Sequence, residues 1–372
     1  MLCSASKWLI TLIIFALSAC SKAKGPDTDP PVTPVEKSLR EQYEASSSLW
    51  PKPVLDEGIP LRELALMPAG PVDPVAQRKV LALGKVLFFD PRVGRGDNSC
   101  SSCHNPATYW VDRKKTAEGI ATHHRNTPSM ENVWYVNGRL FHDGRAKTYA
   151  EQIAEAIESP IEMGGNTYTL PAKLSAVDGY LSLFAEAYGD QEINRQRILD
   201  AIAVYSQSIV SGETAFDRFL KGQYTALSDR QIEGLHLFRT KGRCLNCHNG
   251  PFLTDLEYHN LGYATDRTGA IDNGRFVATG KESDKGRFRT AGLRNVAQTY
   301  PYMHNGSVAT LDEMLDLLSQ GMPQANGQQV NGELSPHIKN LRLTSTERKA
   351  IILFLESLSS EQPQTERPVI PQ

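Results

Sequence analysis

The chain has 372 residues, long enough for two domains with cores of their own. With 40 basic and 42 acidic side chains and a net charge of −2, it carries no excess that would point to nucleic acid or to a broad acidic substrate. Four of its six cysteines fall in two short motifs of one form, Cys3 lies in the apolar N-terminal stretch and Cys20 closes it, which leaves no pair for a structural disulfide.

The chain opens with Lys7 and an apolar run from Trp8 to Leu17. That run is too short for a membrane span and has the shape of an export signal over residues 1–19. Its end, Leu17-Ser18-Ala19-Cys20, resembles a bacterial lipobox, with Cys20 as the lipidated first residue of the mature protein. The other reading is an ordinary cleaved signal peptide, with Cys20 incidental. Ser21, where an Asp would retain the protein at the inner membrane, directs it to the outer membrane of a Gram-negative cell. The expectation is a periplasmic, lipid-anchored protein. Residues 20–40 are proline-rich and poor in apolar side chains, which predicts a disordered tether. Residues 38–72 are expected to wrap over the first domain.

The first helix is predicted from Asp73-Pro74, with Val80, Leu83 and Leu87 on its apolar face and Asp90-Pro91 as its stop. After a glycine-bearing loop comes Cys100-Ser101-Ser102-Cys103-His104. This C-x-x-C-H is the attachment sequence of a c-type haem: both thiols bond to the vinyl groups and the histidine ligates the iron. A disulfide, a zinc half-site or a redox pair are the competing readings, but zinc would require further ligands at close spacing. Thr148-x-x-Glu151 is a capping box that opens a helix through Ile153 and Ile157. Ile198, Ile202, Tyr205 and Ile209 give a further helix over 194–211, with Gly212 beyond it.

The pattern then repeats. Ser228-x-x-Gln231 opens a helix with Ile232, Leu235 and Phe238 inward, followed by the second motif, Cys244-Leu245-Asn246-Cys247-His248. Residues 249–290 read as glycine-rich loops with short strands. Thr310-x-x-Glu313 and Thr344-x-x-Glu347 open two more helices. The class is therefore mainly α, with two cytochrome c-like domains over 41–220 and 221–361, each with one covalent haem c, and a loose tail over 362–372.

Between and beyond the motifs stand Arg125-Asn126-Thr127-Pro128-Ser129, Phe141-His142-Asp143-Gly144-Arg145-Ala146, Gln152 and Pro160-Ile161-Glu162-Met163-Gly164. Phe288-Arg289-Thr290, Leu293-Arg294-Asn295-Val296 and Thr299-Tyr300-Pro301-Tyr302-Met303-His304-Asn305-Gly306 follow. In order and spacing this set resembles the bacterial di-haem cytochrome c peroxidase family, which includes the MauG-type enzymes. The resemblance implies a peroxidatic haem at Cys100, Cys103 and His104 and an electron-transfer haem at Cys244, Cys247 and His248. It assigns Glu162 as the distal acid–base group and Gln152 as its hydrogen-bonding neighbour. A carboxylate over the iron can take a proton from one peroxide oxygen and deliver it to the other. Asn126, Thr299 and Pro301 match positions whose oxygens hold a calcium ion, a hard cation suited to such ligands.

Three positions depart from the family pattern. His142 replaces the inter-haem tryptophan. Leu318 stands where the family has the Met or Tyr distal ligand of the second haem, which leaves Met314 and Met322 as the nearby thioethers. His123 and His124 lie in the loop that often carries a removable ligand of the first haem, but nearer Arg125 than usual.

The leading function is the reduction of hydrogen peroxide to water with electrons from a small c-type cytochrome or copper protein. The alternatives are a MauG-type oxidase acting on Trp or Tyr of a partner protein, and a di-haem electron-transfer cytochrome without substrate. A homodimer is compatible with the family.

Overall fold

A computed structural model describes residues 37–263, 265, 268–322, 330–362 and 364–372. The leader, Cys20 and most of the expected tether lie outside the described residues. Ser38 already belongs to the folded unit that runs to Gln372, three residues before the tether was expected to end. Its side chain forms a reciprocal capping box with Glu41 and opens a short helix.

Among the described residues the chain forms α1 (Leu39–Tyr43), α2 (Arg78–Phe89), α3 (Cys100–Cys103), α4 (Tyr149–Glu158), α5 (Leu170–Ser175) and α6 (Asp178–Tyr188). These are followed by α7 (Arg195–Ser208), α8 (Ala215–Leu220), α9 (Asp229–Arg239), α10 (Phe276–Thr279), α11 (Leu311–Ser319) and α12 (Ser345–Glu356). The sheet is one antiparallel pair, β1 (Tyr258–His259) with β2 (Phe288–Arg289), in which Tyr258 opposes Arg289. The protein is mainly helical, as the apolar periodicity predicts. No helix among the described residues is long and apolar enough to cross a membrane.

The polar signals fix most helix starts. Thr148, Ser228 and Thr344 each close a capping box with the residue three further on, and Asn194 and Thr310 cap α7 and α11. Each cap contributes about 1 kcal/mol. The Asp73 signal acts differently. Its Oδ1 accepts the N–H of Val75 and of Ala76, which caps a turn over 74–77, and α2 begins one turn later than predicted. α7 ends at Ser208, because Ile209 is already extended.

Apolar burial gathers into two clusters. Leu83, Leu87 and Phe88 of α2, Phe184 of α6, and Ile202 and Tyr205 of α7 centre the first. Leu235 and Phe238 of α9 with Ile351 and Phe354 of α12 centre the second. Both clusters rest on one device: a helix that leads into a Cys-x-x-Cys-His motif crosses another helix through a glycine. A Cβ on Gly84 would stand 1.9 Å from the Ala201 carbonyl oxygen of α7, and one on Gly234 would stand 2.0 Å from that of Ala350 in α12. At those crossings only glycine lets the backbones approach.

Three segments pack differently from the sequence expectation. Tyr43, Trp50 and Leu64 are buried in the second cluster, so residues 39–64 cover the C-terminal half and not the first. Arg239 of α9 is the reason: its guanidinium holds Glu63, the Tyr43 hydroxyl (3.0 Å) and the Pro51 carbonyl (2.6 Å). Phe216 and Phe219 of α8 also join the second cluster, although the first domain was drawn to residue 220. The tail expected to be loose packs Ile370 against the first cluster, and Arg92 donates to the Pro371 carbonyl at 2.5 Å.

Candidate active site

The two Cys-x-x-Cys-His motifs fold as single tight turns. α3 places Cys100 and Cys103 one turn apart on the same side, and the His104 N–H closes the turn on the Cys100 carbonyl at 2.9 Å. In the second motif Cys244–Asn246 is a 3₁₀ turn, and the His248 N–H bonds the Cys244 carbonyl at 2.7 Å. All four thiols are free of disulfides, and burial pushes the Cys100 and Cys244 thiols up to about 12.

The histidines are oriented alike. Nδ1 of His104 donates to the Trp110 carbonyl at 3.3 Å, and Nδ1 of His248 donates to the Leu253 carbonyl at 2.9 Å. A carbonyl only accepts, so each ring carries its proton on Nδ1 and presents a lone pair at Nε2. Burial lowers both pKa values and keeps the rings neutral. This is the tautomer that an axial iron ligand requires.

Both motifs open onto one cavity of about 600 Å³. Arg289 lines it with its Nε buried and unpartnered, and it has no carboxylate within ion-pair distance among the described residues. Burial, with the Arg139 charge adding to it, pushes that guanidinium down to about 10. Free cysteine pairs, Nε2-presenting histidines and an uncompensated cation in one cavity fit a haem, whose propionates would answer the Arg289 charge.

Around the first motif the cavity is lined by Glu162, Gln152, His123 and Met163. Glu162 sits in the turn after α4, where its carbonyl accepts the Ile120 N–H at 2.9 Å. Its charge bears on Cys100, Cys103 and His104, which places it beside this motif. Gln152 enters from α4. His123 meets Glu162: Nε2 is 3.4 Å from Oε1, while Nδ1 accepts the Arg125 N–H at 2.9 Å. The Arg125 bond leaves the proton on Nε2, directed at the carboxylate. His124 stacks on His123 with ring centroids 4.3 Å apart, but it does not line the cavity.

His142 lines the cavity and donates from Nε2 to the Asn126 carbonyl at 2.9 Å. Burial, with the Arg125 charge adding to it, pushes its pKa down to about 3. Asn126, Thr299 and Pro301 all border the cavity. The Asn126 N–H bonds the His304 carbonyl at 2.7 Å, which draws the two segments together. Of the candidate second ligands, Met314 lines the cavity alongside Leu318. Met322 is buried but is not part of the lining.

Sequence reasoning missed three residues. Asp272 takes two bonds from Arg125, at 2.7 and 2.8 Å, and Arg125 also donates to Asp143 at 2.7 Å. This network ties the Arg-Asn-Thr-Pro-Ser and Phe-His-Asp-Gly-Arg segments together. Glu131 is half-buried against the cavity with its Oε1 fully covered, and that burial, only partly offset by the Asn295 hydrogen bond, pushes its carboxyl up to about 7. Arg289, which the sequence offers only within the Phe288-Arg289-Thr290 motif and without a role, is the third. The Glu131 signal was available: it is the one acidic residue between Pro128 and Trp134.

Residues 78–225 match the family model for di-haem cytochrome c peroxidase. The chain is 32% identical over 336 residues to a cytochrome-c peroxidase, IdrP1, of Pseudomonas sp. (strain SCT), which covers 82% of this chain and 86% of that one. It is 34% identical over 296 residues to the cytochrome c551 peroxidase of Nitrosomonas europaea, covering 78% and 82%. It is also 32% identical over 310 residues to the methylamine utilization protein MauG of Methylorubrum extorquens, covering 82% and 85%. Among solved structures it resembles a MauG-like protein associated with microbial copper homeostasis, with a TM-score of 0.70, 28% identity and coverage of 83% of this chain and 96% of that one.

Proposed function

The chain belongs to the di-haem cytochrome c peroxidase family, and from that premise we propose that it reduces hydrogen peroxide to water with electrons delivered singly by a small c-type cytochrome or copper protein. The observation that carries this reading is the shared cavity: two motifs presenting histidine Nε2 atoms open onto it, and Glu162 lines it beside the first, whereas Asp255 beside the second is held by His259 at 2.8 Å and is not part of the lining. The overall reaction takes two protons and two electrons per peroxide.

When bound, the haems supply the iron coordination and the electron transfer that amino-acid side chains lack. The chain supplies the rest. Cys100 and Cys103 would hold the first group, Cys244 and Cys247 the second, and His104 and His248 would offer Nε2 to the iron. Glu162 accepts the proton of the inner peroxide oxygen and returns it to the departing one. Gln152 orients peroxide from α4. His123, with its proton on Nε2, holds the Glu162 carboxylate in place. His142 is neutral and bonded to the Asn126 carbonyl, so it holds the inter-motif segment without offering an oxidisable indole.

Supporting the finer assignments, Met314 lines the cavity one helical turn from Leu318 and so offers a sulfur as a second ligand. Asn126, Thr299 and Pro301, joined through the Asn126–His304 bond, are the oxygen set for a calcium ion. Export, with lipidation at Cys20 and an outer-membrane position, rests on the leader sequence, and a homodimer rests on the family resemblance.

The second reading is a MauG-type oxidase acting on Trp or Tyr of a partner protein. It draws on relatives of that name and is weakened by His142, which is a poorer stopping point for a hole than an indole. Steady-state oxidation of a reduced c-type cytochrome by peroxide tests the peroxidase. Two cytochromes oxidised per peroxide is the expected stoichiometry. Peroxide-independent oxidation, or none, would overturn it.

A further inference from the structure

Glu131 lies where the two halves of the protein meet. Its Oε2 accepts a hydrogen bond from Asn295 Nδ2 at 2.6 Å, while Oε1 is buried without a hydrogen-bond partner among the described residues. A ring of polar groups surrounds it. The Glu131 N–H donates to Ser129 Oγ at 3.1 Å, and Ser129 Oγ donates to the Tyr109 carbonyl at 2.8 Å. The Tyr109 hydroxyl donates to the Ser360 carbonyl at 3.1 Å, and the Ser360 N–H donates to Asn295 Oδ1 at 2.7 Å. The ring is thus closed between Tyr109, Ser129 and Glu131 of the first half and Asn295 and Ser360 of the second. Glu131 also lines the cavity onto which both Cys-x-x-Cys-His motifs open.

No cation in this ring holds the carboxyl ionised. Arg294, beside Asn295, is committed to Asp217 at 2.8 and 3.0 Å, and Arg113, whose charge reaches Tyr109, donates to the Gln298 carbonyl. Tyr109 is the other titratable member, and burial keeps its phenol protonated. The flanking Met130 and Asn132 are neutral. A carboxyl with one oxygen covered and the other hydrogen-bonded, raised to about 7, sits near the balance between its two protonation states.

We propose that Glu131 is a proton store coupled to the electrons of the two haem sites: reduction of an adjacent site draws a proton from solvent onto the Glu131 carboxyl, and reoxidation releases it. The inference rests on both motifs carrying haem. The electron comes from the one-electron donor protein, the proton comes from water, and the only bond made or broken is the O–H of Glu131. An added electron in a low-dielectric interior raises the proton affinity of a nearby carboxyl, and by linkage the proton raises the reduction potential. An enzyme that consumes two protons with two electrons would then hold one of those protons beside the electrons before peroxide arrives.

The test uses the full holoprotein. Haem content is measured first, so that loss of the haem premise is read separately from the fate of Glu131. Spectroelectrochemical titration between about pH 5.5 and 8.5, around the reference set by burial, should then show a midpoint potential that falls as pH rises. Reduction in unbuffered solution with a pH indicator should show proton uptake. Glu131→Gln keeps an oxygen for Asn295 and should abolish both effects while the haems stay in place. Retention of the pH slope and the uptake in that variant would overturn the proposal. If the variant fails to fold, the reduced-minus-oxidised infrared difference spectrum of the unaltered protein decides the matter. A protonated carboxyl band gained on reduction supports Glu131 as the store, and its absence refutes it.

Discussion

Nε2 of His123 stands 3.4 Å from Oε1 of Glu162, in the cavity wall beside the first Cys-x-x-Cys-His turn. In the proposed mechanism the pair separates two roles, an acid–base carboxylate and the ring that holds it. Glu162→Gln should lower peroxide turnover by about 10²–10⁴-fold, the usual contribution of a positioned acid–base group, with both haems retained. His123→Gln should cost roughly tenfold, about 1.4 kcal/mol of barrier. Near-normal peroxide consumption by the Glu162 variant would remove it from the mechanism. A change in the electron paramagnetic resonance signal of the first haem in the His123 variant would return that residue to the iron.

Met314 borders the cavity and Met322 does not. Met314→Leu is therefore expected to lower the potential of the second haem and alter its low-spin spectrum, because a thioether ligand favours the reduced iron. Met322→Leu, a swap of similar volume in a packed setting, should leave both unchanged and cost under about 1.5 kcal/mol of stability. Identical spectra for the two variants would argue against a sulfur ligand from Met314.

Gly84 and Gly234 stand at the two helix crossings, each with a carbonyl oxygen where a Cβ would be. Alanine at either position forces the helices apart and should destabilise the protein by about 1–3 kcal/mol, read as a lower thermal midpoint. The same substitution at Gly138, which faces open space, tests φ strain alone and should cost less. Equal losses at all three positions would mean that the crossings are not tight.

Burial opposes the charge of Asp272, but its hydrogen bonds to Arg125 and the attraction of that guanidinium outweigh it and hold the carboxyl well below the usual range. A depressed folded-state pKa stabilises above the unfolded-state value and loses that stability as pH falls toward the folded one. The thermal midpoint should therefore drop progressively below about pH 4. Asp272→Asn should destabilise by about 3 kcal/mol at neutral pH and flatten that acid limb. An acid limb as steep as that of the unaltered protein would place the sensitivity elsewhere, with Asp143 the next carboxylate to replace.

The helices were legible because their determinants are local. A capping side chain three residues ahead of its partner and an apolar face at helical spacing act within one turn, so Thr148, Ser228 and Thr344 open the helices they were expected to open. Where a signal was shared by competing local structures, as at Asp73, the backbone chose the turn. Long-range choices were not legible. The segment 39–64 carries no mark of which half it covers, because its partner, the guanidinium of Arg239, lies far along the chain.

By itself the sequence determined the two candidate haem-attachment motifs: two thiol pairs, each followed by a histidine, at a spacing that a single turn satisfies. It also determined the family, through short motifs in fixed order. Only the tertiary structure decided which nitrogen each histidine presents, because that depends on the carbonyls of Trp110 and Leu253 reaching Nδ1. It likewise decided that His123 faces Glu162, that Met314 and not Met322 meets the cavity, and that Glu131 has a covered Oε1 with no cation in its hydrogen-bond ring. Proton position and charge state follow from burial and from which groups the folded chain brings up: carbonyls a few residues on for His104 and His248, Glu162 of the same half for His123, and Asn295 of the other half for Glu131.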